Sequence, residues 1–136
     1  MRLNKNDIGM GDPNDIALNP GKVKGRELLS YAMDYLERSR QLTGAKAAEA
    51  LWAAATLAVE AVGAYRENQK IVSMKEQWMY VIYLSISMNR PELLKWWRTA
   101  LAMYLGYRED VVPDEDIPLA RKDVGELIGF AASIIK

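Results

Sequence analysis

The sequence holds no cysteine and no histidine among its 136 residues. Without cysteine there is no thiol nucleophile, no disulfide and no thiolate metal ligand. Without histidine, imidazole general-base catalysis, the Ser-His-Asp triad in its usual form and the common zinc and di-iron sites fall away. Net charge is missing as well, since 18 Lys and Arg balance 18 Asp and Glu. A sequence-independent nucleic-acid binder normally carries a basic surplus, and this chain as a whole does not. No unbroken apolar run approaches the roughly 18 residues that a membrane span needs. The opening MRLNKNDIGMGDPND lacks the apolar core of a secretion signal. Together these absences make the cytoplasm the expected compartment, with no membrane contact and no cofactor or metal.

Half of the residues are apolar, enough for an ordinary core at this length. They are unevenly placed. Residues 1–23 hold Gly9, Gly11, Gly21, Pro13 and Pro20 among Asn4, Asn6, Asp7, Asp12, Asn14, Asp15 and Asn19. That mixture favours turns and extended chain, so an N-terminal arm is expected there. Ile8, Met10, Ile16 and Leu18 are the side chains that would pin it to its own domain, a sister chain or a larger complex.

From residue 24 to residue 136 the spacing is helical and predicts one bundle domain. Leu28, Leu29, Ala32, Met33 and Leu36 give one face of a first helix, which Thr43-Gly44 ends. A second helix over residues 45–66 is apolar around most of its circumference, with Lys46, Glu49, Thr56 and Glu60 as a narrow polar strip around Ala53. Such a helix belongs at the centre of a bundle. Ser73 followed by Glu76 is a capping-box pattern that starts a third helix. Trp78, Val81, Ile82 and Ser85 line one of its faces, and Tyr80, Tyr83 and Ser87 another. Pro91-Glu92 restarts the chain as a fourth helix to about Leu105, with Gly106 as its expected cap. A fifth helix is expected after Pro118, on the stripe Val124, Leu127, Ile128, Ala131, Ile134 and Ile135. No period-2 alternation predicts a strand. The fold class read from these patterns is all-α, a compact bundle of about five helices with an extended N-terminal arm.

The fourth helix carries two apolar stripes. Leu93, Leu94, Trp97, Leu101, Tyr104 and Leu105 form one, and Trp96, Ala100, Met103 and Tyr107 the other. Trp96 and Trp97 point about 100° apart on a helix, so a single buried direction does not accept both. One stripe is assigned to the core. The other, Trp96, Ala100, Met103 and Tyr107, is expected to meet a partner, and the commonest partner is a second copy about a two-fold axis.

Candidate chemistry is sparse. Arg90, Arg98 and Arg108, with Lys95 and interleaved with Trp96 and Tyr107, are the candidate surface for stacking bases and holding phosphates of single-stranded RNA. Asp110, Asp114, Glu115 and Asp116 match no cation-binding loop and are expected to solvate a connection, with Asp114 or Asp116 capping the fifth helix. Gly21-Lys22-Val23-Lys24-Gly25-Arg26 lacks phosphate-loop spacing and reads as a basic hinge. Glu49 and Glu60 are too far apart for an acid–base dyad.

The run from Ala47 to Val62, with Glu49, Leu51-Trp52, small residues and Leu57-Ala58-Val59, resembles the signature helix of the PaREP family, small all-helical proteins of thermophilic archaea. Gly25-Arg26-Glu27-Leu28-Leu29 with Tyr35-Leu36 resembles that family's first helix, and the likeness spans about residues 25–135. The family is similar to the HEPN group of helical bundles, whose members pair into dimers and whose active forms are ribonucleases using an Arg and a His. The resemblance puts Arg98 in the Arg position and Tyr104 where the His would stand, with Gly106 and Arg108 replacing the motif's Asn and Tyr. It therefore implies a member without catalysis, since a phenol is a poor base at neutral pH. The function expected from all of this is a non-enzymatic binding or assembly module, homodimeric through the fourth helix. The alternative is an RNA- or nucleotide-binding protein, a degenerate HEPN-like ribonuclease lacking the catalytic His.

Overall fold

The computed structural model describes residues 19–136, and these fold into five helices. They are α1 Pro20–Ser39, α2 Gly44–Glu67, α3 Met74–Ser87, α4 Glu92–Glu109 and α5 Asp116–Ile134. The described residues contain no strand, and the chain is an all-α bundle. Residues 1–18, with Ile8, Met10, Ile16 and Leu18, lie outside the described residues. The arm boundary expected at residue 23 is corrected, because Pro20–Val23 are the first turn of α1. Proline at that position has a preset φ and loses no N–H that the helix would use.

Alanine decides which helix is central. Ala47, Ala48, Ala54, Ala55, Ala58 and Ala61 of α2 are fully buried, and short side chains let neighbours come close on every side. α2 packs on all four other helices, most extensively on α1. By length and composition it is also apolar enough to cross a membrane, although Glu49 and Glu60 bound its longest uncharged run, so the absence of an unbroken span-length apolar run stands. Of its most apolar 18 residues 67% are buried inside the bundle, so its apolar character is already used by the core.

The α1–α2 contact depends on glycine. A Cβ at Gly25 would lie 2.8 Å from Tyr65 Cβ and 3.0 Å from the Ala61 carbonyl oxygen, and one at Gly21 would press on the Ala64 carbonyl. Those atoms are backbone or rigid Cβ and cannot rotate away. Gly-to-Ala in an exposed helix gains up to about 1 kcal/mol. At Gly25 the sign reverses. Gly25→Ala is expected to cost about 1–2 kcal/mol through overpacking, lowering the melting temperature by about 5 °C in a circular-dichroism melt. An unchanged or raised melting temperature would contradict the close approach.

Termini follow local chemistry, with three departures. Ser73 Oγ accepts from the Glu76 amide at 3.1 Å and Glu76 Oε1 accepts from the Ser73 amide at 3.3 Å, so the capping box forms. α4 does not stop at Gly106. It continues to Glu109, and Asp110 takes the left-handed cap at φ 53°. Gly106 instead makes room for the chain to fold back, since its Cβ would meet Val112 Cγ2 at 3.0 Å. α5 starts at Asp116, ahead of Pro118, whose missing N–H falls in the first turn where none is needed. Neither Asp114 nor Asp116 caps it by a side chain; Glu115 is the cap position and makes no such bond.

Polar pins fix the outer helices. Arg121 on α5 donates to the Ser39 carbonyl at 2.7 Å and to Ser39 Oγ at 3.2 Å, closing α5 on the end of α1. Gln77 is buried and donates from Nε2 to the Ile71 carbonyl at 3.1 Å, which ties α3 to the loop before it. The Trp97 indole N–H, fully buried, has no acceptor.

Candidate functional site

The fourth-helix stripe offered from sequence as a partner surface is sealed inside the chain. Trp96 is 9% exposed, Met103 4% and Ala100 0%. α4 lies between two sets of neighbours. Trp97 turns to α2 and α3, with Trp52 at 5.3 Å and Trp78 at 6.5 Å between ring centroids. Met103 turns to α5, beside Leu119 and Ala120. Thr99 joins that seam by donating to Asp123 Oδ2 at 2.7 Å. α5 therefore covers the second stripe, and both adjacent tryptophans are core. Tyr107 is half-buried and reaches toward α1 and α2 instead. Met33, expected in the first helix's core face, is exposed.

The three arginines do not share a surface ring. Arg90 pairs with Glu92 and lies over Phe130 of α5 at 5.1 Å. That guanidinium holds the Glu92 carboxyl below its ordinary value. Arg98 lies over Trp78 of α3 at 6.0 Å, and Arg108 over Tyr104 of α4 at 5.5 Å. Lys95 faces Asp123 at 4.0 Å. Glu49 is exposed, while Glu60 is half-buried in a different groove, so no dyad forms. Burial raises the Glu60 carboxyl above its ordinary value, against the opposing pull of Lys24 and Lys70. Among the described residues no three carboxylates converge on a cation position, and Asp110, Asp114 and Glu115 are exposed.

The surface that stands out is on α3. This helix packs on α4 and, less extensively, on α2. Val81 and Leu84 face inward. Met79, Tyr83 and Ile86, at i, i+4 and i+7, face outward at 59%, 49% and 75% exposure, with Ile82 half-buried beside them. These residues span a narrow arc of the helix, so the apolar stripe is continuous. It amounts to roughly 400 Å², the scale of the largest apolar patch on an ordinary monomer. From Gln77 to Asn89 no residue is charged, while Lys75 and Glu76 mark the rim at the first turn.

One aromatic in this stripe is held ready. Tyr83 stacks on Tyr80 with centroids 5.9 Å apart and planes inclined by 20°. Tyr80 is buried and donates its hydroxyl to Glu67 Oε2 at 3.0 Å. Burial, followed by that bond and the nearby carboxylate charge, pushes the Tyr80 hydroxyl far up, so it stays a donor. A ring fixed before contact loses little rotamer freedom when a partner arrives.

Sequence reading missed Met79 and Ile86. The signal was available: a helix apolar on every side yet attached at the edge of a small bundle has no polar face to give to water. Comparison with protein-family models, curated proteins and solved structures returned no match.

Proposed function

We propose that this chain acts as a self-associating helical module, two copies meeting through α3 about a two-fold axis. The observation that carries this reading is the exposed stripe Met79, Tyr83 and Ile86 on a helix without charge beyond its first turn. A stable interface buries about 800 Å² per partner, somewhat over half of it apolar. The stripe supplies nearly that apolar share. At a two-fold axis like groups meet like groups, which repels charges placed there and leaves a neutral stripe unaffected. The stripe itself has no charge with which to select a partner of opposite sign, and the bordering Arg66, Glu67 and Arg98 are engaged with Met88, Tyr80 and Trp78, so an identical copy fits it best. The interface expected on α4 thus moves to α3, and self-association is kept.

The absence of native cysteine gives a direct test. Met79→Cys, Tyr83→Cys and Ile86→Cys, made one at a time, each carry a unique thiol. A disulfide needs Cβ atoms within about 4.5 Å, which only residues near the axis achieve. At least one of the three is expected to oxidise to a covalent dimer far faster than Arg40→Cys, an exposed control at the end of α1. No difference from that control would refute the proposal.

A further inference from the structure

A second feature lies away from the α3 face. The outward strip of α2 and the ends of α1 and α4 border a groove of about 620 Å³. Tyr35 and Arg38 of α1 form one wall, Lys46, Glu49 and Trp52 of α2 the floor, and Tyr107 of α4 the other wall. The rings are set by neighbours. Trp52 packs against Trp97 at 5.3 Å and Tyr104 at 5.0 Å, and Tyr107 meets Tyr104 edge-on at 5.7 Å. The Arg38 guanidinium sits over the Tyr35 ring at 4.8 Å.

The two cations of the groove are not held in ion pairs. Among the described residues neither Arg38 nor Lys46 has a carboxylate within 4.0 Å, as holds for most of the other cations, so both remain open to an anion. Glu49 is the one carboxylate of the lining, so the groove keeps a positive excess. Its volume falls in the range of small-molecule sites. Aromatic walls reward a flat ring, and cations at the rim reward an anion; guanidinium in particular suits a carboxylate or a phosphate.

We propose that this groove binds a small planar aromatic anion, its ring against Trp52 and Tyr107 and its anionic group at Arg38 and Lys46. A neutral ring would lose the rim contacts, and a non-aromatic anion would lose the walls, so both parts of the ligand are required. The carboxylate of an aromatic acid and the phosphate of a nucleotide satisfy the same chemistry. The site goes beyond self-association and shares no residue with the α3 stripe, so either stands if the other fails.

Titration of the full chain, followed by the indole N–H signal of Trp52 in a proton–nitrogen correlation spectrum, tests this. Indole-3-carboxylate and adenosine monophosphate are the two ring-bearing probes, and indole and acetate are the controls. At least one ring-bearing anion is expected to give a saturable shift at millimolar concentration or below, at least tenfold tighter than either control. The tighter of the two assigns the anion as carboxylate or phosphate. Arg38→Ala with Lys46→Ala, both exposed positions, is expected to weaken that binding at least tenfold while leaving the helical spectrum unchanged. No saturable shift with either probe, equal binding of neutral indole, or undiminished binding by the double variant would overturn the proposal.

Discussion

A chain carrying Trp96→Asp is expected to lose its cooperative fold. Trp96 keeps only 9% of its surface in a helix packed between α2, α3 and α5. Removing a large buried aromatic costs about 3–5 kcal/mol. A carboxylate left there without a partner adds a desolvation penalty of several kcal/mol more. The total is comparable to the whole stability of a small domain, about 5–15 kcal/mol. A urea titration followed by helical circular dichroism is expected to show either no folded baseline or a midpoint lowered by more than half. A variant that unfolds as the parent does would mean that Trp96 is not core.

The same kind of change on α3 is expected to do the opposite. Met79 is 59% exposed, and Met79→Glu places a good helix former at i+4 from Lys75 and i+3 from Glu76, so the attraction and the repulsion largely offset each other. Fold stability is expected to move by no more than about 0.5 kcal/mol, as exposed substitutions usually do. Association is expected to suffer heavily, because symmetry brings two carboxylates into one desolvated seam. A penalty of about 3 kcal/mol or more weakens the dimer at least a hundredfold. Trp96→Asp and Met79→Glu thus separate folding from pairing, which a single charged variant does not.

Most of the architecture was legible because helical periodicity is a local property. The alanine-rich second helix, the Ser73–Glu76 start and the stripe Val124, Leu127, Ile128 and Ala131 all stand where spacing puts them. Whether a stripe is covered is a tertiary property, and there the reading failed. Two apolar directions on α4 looked like one too many, yet Trp97 has α2 and α3 to pack on while Met103 has α5. Tyr80 and Tyr83 read as one face, but the Glu67 carboxylate draws the Tyr80 hydroxyl inward and leaves Tyr83 stacked outside it. The arginines looked clustered along the chain, yet each settled over a ring on a different helix. The α1–α2 approach at Gly21 and Gly25 was hidden for a related reason, since a glycine read as a hinge says nothing of what passes beside it.

Sedimentation velocity on the parent and on Met79→Glu, run side by side at tens of micromolar, bears most directly on pairing through α3. The expected result is a parent species of twice the 15.4 kDa chain mass, shifting toward the single mass on dilution, and a folded variant that sediments at the single mass throughout. A parent that stays at 15.4 kDa at every concentration, or a variant that pairs as tightly as the parent, would contradict it.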